Sequence, residues 1–274
     1  SDGRGSSTGG GSSNNNNNNN NDITIPTVAT TATARVLTSK ELDLIDNGFK
    51  LAGYPKSRIF TIAFGLWMEN QNIDAAVDAF KRGADNDGCV PCMVFYMYIQ
   101  EQRGNLYLLL PYAIEGGIRG HIGCMDNLID CYTMSIPAAA SALISFWVKT
   151  RTECGDTLYT EENRKEHKKK ITNVCYICGK RESEDNDVTL VKCGICKYYS
   201  YCGKDCQTYH WKEGNHMHEC RQLILLRKYC KPSYVKEIRE AIIGGQDPKE
   251  IHTLQRLRMK LGLNRPKEEY EELL

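Results

Sequence analysis

Cys175-Tyr-Ile-Cys178, Cys193-Gly-Ile-Cys196, Cys202-Gly-Lys-Asp-Cys206 and His216-Met-His-Glu-Cys220 follow one another within a single stretch of the chain. Each pair brings two ligands within reach of one tetrahedral ion, and in a Cys-x2-Cys pair the neighbouring backbone N–H groups stabilise the sulfurs. Seven thiolates and one imidazole make eight ligands. That is the complement of two closed zinc sites, with no position left for water or substrate, and closed sites are structural. The stretch is too short for a hydrophobic core of its own and takes its stability from metal. Residues 188–192 and 198–201, rich in β-branched and aromatic side chains, flank the second pair as a predicted β-hairpin. A helix is predicted after Cys206, through 209–211.

The order of the pairs in CYIC…KCGICKYYSYCGKDCQTYHWKEGNHMHEC, with its core Tyr201-Cys202-x3-Cys206-Gln207, resembles a MYND zinc finger. In that family the two sites interleave. The resemblance therefore implies that Cys175, Cys178, Cys202 and Cys206 hold one zinc, and Cys193, Cys196, His216 and Cys220 the other. RING and PHD fingers place their histidine mid-series and end on a Cys-x2-Cys pair, which this chain does not. One departure stands out: four residues separate Trp211 from His216, where the family usually has two or three. His210, four residues after Cys206, is the substitute nitrogen if that longer turn forces a rearrangement, whereas His218 reaches poorly toward Cys220's ion. The resemblance also implies a shallow groove for short proline-containing peptides, lined by Gln207 and Trp211 with Tyr199 or Tyr201 beside them. An aromatic face packs on proline and an amide bonds to peptide backbone. The other reading of Trp211 is structural, as a brace against the hairpin.

Upstream, an aromatic residue followed eight positions later by glycine recurs as Phe80…Gly88, Tyr112…Gly120 and Trp147…Gly155. Two apolar residues precede each aromatic by four and three positions: Ala76 and Val77, Leu108 and Leu109, Leu143 and Ile144. Cys92 and Cys124, each followed by Met, come four residues after the first two glycines. A small residue there lets paired helices approach closely, and glycine supplies the positive φ a helix end favours. The pattern resembles the Sel-like, tetratricopeptide-related helix-pair repeats over residues 70–155, which implies a concave partner-binding face; a plain helical bundle is the alternative. Segments 40–52 and 56–69 are predicted to cap the array, since each repeat needs a neighbour for its apolar face.

The predicted fold class is mainly α: a helical-repeat domain, a small binuclear zinc finger with a short β-hairpin and helix, and a C-terminal helical tail. Residues 1–34, a Gly/Ser/Asn-rich tail, have too little apolar area to order. Repeats are expected over 35–159, a charged linker over 160–170, the finger over 171–222 and helices over 223–274. The linker's Arg164-Lys165 and Lys168-Lys169-Lys170 cluster reads as a solvated hinge, or else as a nuclear-import or phosphate-binding patch. In the tail, Pro232 suits a first helical turn, with Val235, Ile238 and Ile242 on one face. Asp247-Pro248-Lys249-Glu250 is predicted to cap a last helix carrying the stripe Ile251, Leu254, Leu257 and Leu261 and closed by Gly262.

Net charge is +1, which argues against a dedicated nucleic-acid binder. Residues 155–274 carry 23 basic and 19 acidic side chains. Seven thiolates and two Zn²⁺ take that excess of four down to one, too little for a strong phosphate footprint. No apolar run approaches the roughly 20 residues of a membrane span, and neither signal-peptide regions nor an oxidising context is apparent. An intracellular protein, cytoplasmic or nuclear, is expected; the chain opens on Ser1 rather than Met, which leaves room for residues upstream. Cys89-Val-Pro-Cys92 is a separate Cys-x2-Cys that reads as two small packed thiols, or as a redox or metal pair. No Gly-rich phosphate loop, Gly-x-Ser-x-Gly elbow or His-Glu-x-x-His motif is present. The expected function is a non-enzymatic, zinc-binding protein–protein interaction adaptor. The alternatives are a fragment of a SET–MYND-type lysine methyltransferase, although the SET motifs Asn-His-Ser/Cys and Gly-Glu-Glu/Gln-Ile/Leu are missing, or a weak nucleic-acid-binding regulator.

Overall fold

Thr38 opens helix α1 (Ser39–Asp43) with a capping box: its Oγ1 accepts the Glu41 N–H, and the Glu41 carboxylate accepts the Thr38 N–H at 2.8 Å. A π-helical turn over Leu44–Gly48 follows. Ser57 and Asn72 cap α2 (Arg58–Met68) and α3 (Ile73–Asn86), each accepting a first-turn N–H. Helices α4 (Val90–Gln102) and α5 (Leu110–Gly117) start with proline in their first turn, where the missing N–H costs nothing. Helices α6 (Ile122–Met134) and α7 (Ser141–Glu153) complete the series. The computed structural model describes residues 36–69, 72–134, 141–156, 162, 165, 173–182 and 188–273. The predicted N-terminal tail and most of the predicted linker lie outside these residues.

From α2 to α7 each helix packs on the next in chain order. Phe80, Tyr112 and Trp147 are all buried, and the three glycines that follow them adopt φ of +62°, +78° and +95°. At Gly120 the His121 N–H reaches the Gly116 carbonyl and the Gly120 N–H reaches that of Gly117, so a Schellman turn closes α5. The cysteines do the close-packing expected of them. A Cβ on Gly83 would lie 2.5 Å from Cys92 Sγ, and one on Gly116 would lie 2.3 Å from Cys124 Sγ. Glycine meets cysteine at the α3–α4 and α5–α6 seams, bringing the helices together. His121, fully buried, caps α6: its Nδ1 accepts the Cys124 N–H at 3.1 Å, so the proton sits on Nε2 and is donated to the Phe49 carbonyl. Burial holds its pKa down at about 3.

The hairpin forms as β1 (Val191–Lys192) and β2 (Ser200–Tyr201), antiparallel with Val191 opposite Tyr201; it is shorter than the pattern predicts, with residues 198–199 taken into the knuckle, where the Cys193 N–H bonds the Tyr199 carbonyl, and residues 188–190 left before β1. Helices α8 (Lys204–Lys212), α9 (His216–Tyr229), α10 (Pro232–Ile243) and α11 (His252–Leu261) follow. Helix α9 runs without a break through residue 222, where the finger was expected to end, so finger and tail share one helix. The stripes of α10 and α11 are buried as predicted. The cap of α11 is not as predicted. Asp247 Oδ1 accepts the Lys249 N–H at 2.9 Å, closing residues 247–250 into a separate turn, and the helix starts only after Ile251. Helices α9 and α10 both pack on α7. Helix α10 is also pinned elsewhere: Arg239 Nη1 donates to the Gly120 carbonyl, after α5, and to Tyr54 Oη, before α2, both at 2.8 Å. A Cβ on Gly120 would lie 2.4 Å from Arg239 Cβ, so glycine serves both the turn and this approach. Among the described residues no helix is long and apolar enough to cross a membrane.

Candidate metal centre

Each Cys-x2-Cys pair sits on a tight knuckle. The Gly179 N–H donates to the Cys175 carbonyl at 2.9 Å, and the Lys197 N–H to the Cys193 carbonyl at 3.0 Å. Gly179 and Lys197, each just past its pair, adopt φ of +71° and +58°. The first thiol of each knuckle is acidic. Burial works against ionisation, but backbone N–H groups of the knuckle and of Cys202 outweigh it at Cys175, holding the thiol at about 6. At Cys193 the His216 ring and the knuckle N–H groups hold it at about 7.

Folding gathers the eight ligands into the two sets that the resemblance implied: Cys175, Cys178, Cys202 and Cys206, and Cys193, Cys196, His216 and Cys220. A zinc tetrahedron with metal–sulfur distances of about 2.3 Å has sulfur–sulfur edges of about 3.8 Å. In the first set Cys178 and Cys202 sulfurs are 3.4 Å apart, and Cys202 and Cys206 are 3.7 Å apart. In the second, His216 Nε2 lies 3.5 Å from Cys193 Sγ and 3.6 Å from Cys196 Sγ. Both sets fit zinc. They differ in depth: all four members of the second set are buried, whereas Cys178 of the first is exposed.

Sequence reasoning missed the support behind the second set. His216 Nδ1–H donates to Glu219 Oε2 at 3.0 Å, which turns Nε2 toward the sulfurs. The other oxygen of Glu219 accepts Tyr199 Oη–H at 2.6 Å and the Ala142 N–H, in the first turn of α7, at 3.1 Å. One carboxylate thus links metal ligand, hairpin and helical stack. Its i, i+3 spacing from His216 on α9 was the available signal.

His210 and His218 stay outside both tetrahedra. His210 Nδ1 is 2.9 Å from Tyr201 Oη and its ring stacks on His216 at 4.6 Å, while His218 is exposed. Replacing His216 by alanine is expected to lose one zinc and keep the other, as metal analysis would show; retention of both would transfer the ligand role to another histidine.

The predicted groove needs a correction. Tyr199 and Tyr201 are 0% and 1% exposed, spent on the Glu219 and His210 hydrogen bonds, so neither offers a ring to a ligand. Gln207 and Trp211 are half-buried and share a face of α8 at i, i+4 spacing. The indole also meets the His216 ring edge-on at 5.7 Å, so it braces against α9 rather than against the hairpin as expected.

Residues 175–220 match the family model of the MYND finger. This segment is accordingly a zinc-binding protein-interaction module with places for two ions. No curated protein and no solved structure matches the chain.

Proposed function

We propose that the protein is a non-catalytic adaptor whose finger takes a short proline-containing peptide and whose helical stack offers a second partner surface. The observation that carries this reading is the closure of both ligand sets: four protein ligands around each ion leave no position for substrate activation. Surface recognition is the chemistry that remains to the finger. Gln207 and Trp211 supply an amide and an aromatic edge on one helix face, suited to an extended peptide. For the second surface, the recurrent aromatic–glycine units and the chain-order packing of α2 to α7 support a likeness to Sel-like repeats, whose stacked helix pairs present a concave face.

A site this small binds weakly, at roughly micromolar or poorer affinity, because little area is buried to offset the association entropy. Gln207→Ala is the clean test, since it removes a half-exposed amide and leaves the aromatic brace in place. The expected result is two zincs retained and a several-fold weaker affinity for a proline-rich peptide selected against the full chain. Undiminished affinity at full metal content would put the groove elsewhere. Strong weakening by salt would instead favour a nucleic-acid partner.

A further inference from the structure

Cys89 is the N-cap of α4, and Cys92 lies three residues on, across Val90 and Pro91. Ser57 Oγ–H donates to Cys89 Sγ at 3.3 Å from the start of α2. In front of Cys89 lies a cavity of about 110 Å³, walled by Tyr54, Ser57, Val90 and Pro91 and by Ile242 and Pro248 of the C-terminal segment. Pro55 and Asp87, both exposed, form its rim. Cys92 is turned away from this opening and packs on Gly83 of α3. The two thiols therefore have unequal surroundings. One faces a cavity, with the Ser57 hydroxyl directed at its sulfur; the other sits behind it.

We propose that Cys89 and Cys92 form a redox-active dithiol, Cys89 attacking and Cys92 resolving, that reacts with a small aliphatic disulfide entering through this cavity. The acidity of the pair follows the geometry. Hydrogen bonds from the Cys92 thiol, and further ones from Ser57 and the Cys92 N–H, outweigh burial and hold Cys89 at about 7; burial and the Cys89 charge push Cys92 well up. That is the division an attacking and a resolving thiol need. A structural zinc is not the better reading, since among the described residues no third Cys, His, Asp or Glu joins the pair in a ligand cluster.

The exchange balances without a further reactant. Cys89 ionises, its thiolate attacks one sulfur of the disulfide to form a mixed disulfide, and the other half leaves as a thiolate that takes up the proton Cys89 released. Cys92 then gives up its proton, attacks Cys89 Sγ and expels the second half as a thiol. Two protein thiols are oxidised and one disulfide is reduced to two thiols.

The test uses the full, zinc-loaded chain and cystamine, with peptide mapping by mass spectrometry and zinc measured in parallel. A Cys89–Cys92 disulfide formed with both zincs retained is expected. Cys92→Ser should trap the cystamine half on Cys89, and Cys89→Ser should leave Cys92 unmodified. The proposal is overturned if Cys89 and Cys92 stay reduced at cystamine concentrations that modify Cys131, a half-buried cysteine outside both ligand sets. It is equally overturned if they oxidise only after zinc is released, which would mark reaction of an unfolding chain. Because the wild-type map decides by itself, failure of a variant to fold would not rescue the idea.

Discussion

Stripping both zinc ions from the full chain is expected to dissolve the finger while most of the far-UV helical signal remains. A structural zinc contributes on the order of 10 kcal/mol of folding free energy, more than the Tyr199–Glu219 and Tyr201–His210 hydrogen bonds can supply. Its strands are two residues each. Helix α8 has nine residues, fewer than the roughly 12 an isolated helix needs in water. The second half of α9 is a different case, because buried Leu223 and Leu226 anchor it and it packs on α7 and α11. It should survive together with the stack. Removal should also occur in two phases. The set containing exposed Cys178 should yield to a chelator first and the fully buried set later. With the second ion gone, His216 no longer orders Glu219, and the Ala142 N–H loses an organised acceptor. Hydrogen exchange should therefore rise over 175–212 and at Ala142, but not across α2 to α6. Metal content, circular dichroism and exchange mapping together check this. Collapse of the whole helical signal on chelation would show that the stack cannot stand without the finger.

What could be read from the sequence was what spacing encodes. Coordination demands fixed reaches between neighbours, so the four ligand pairs stand out, and the turn after each repeat aromatic demands a positive φ, so Gly88, Gly120 and Gly155 stand out too. The readings that failed hung on competing local bonds or on burial. Asp247, Pro248 and Glu250 have the composition of a helix cap, yet the Asp247 side chain closes its own turn first. Tyr199 and Tyr201 look like groove residues until their hydroxyls are seen to be needed inside the finger. Long-range polar links left no trace at all. Arg239 reaches Gly120, and Arg258 reaches Glu115 across 143 residues, and no local pattern specifies either partner.

That last link gives the largest stability effect expected from a side chain outside the metal sites. Replacing Glu115 by alanine should cost about 3–5 kcal/mol, the usual range when one partner of a buried ion pair is removed. The Glu115 carboxylate is 1% exposed, on α5. It accepts from Arg119 one turn on, from Arg258 of α11 through Nε and Nη2, both at 3.2 Å, and from Tyr270 Oη–H at 2.9 Å. Without it the nearly buried Arg119 guanidinium has no counter-charge, and Arg258 and Tyr270 lose their hold on the stack. Burial alone would raise the Glu115 pKa, but the charges of Arg119 and Arg258 prevail and hold it below its ordinary 4.5. The sign of the pH dependence follows. The carboxyl binds its proton more readily in the unfolded chain, so its stabilisation is complete above the ordinary carboxyl range and is lost as pH falls through the lower folded-state value. Glu115→Gln keeps the shape and removes the charge, so the gap between wild type and this variant should be widest near neutrality and should narrow on acidification. Urea unfolding of both proteins at a series of pH values measures that gap. A gap that stays constant from about pH 7 to about pH 3 would mean that the charge of Glu115 contributes nothing and that its shape alone holds the C-terminal helices in place.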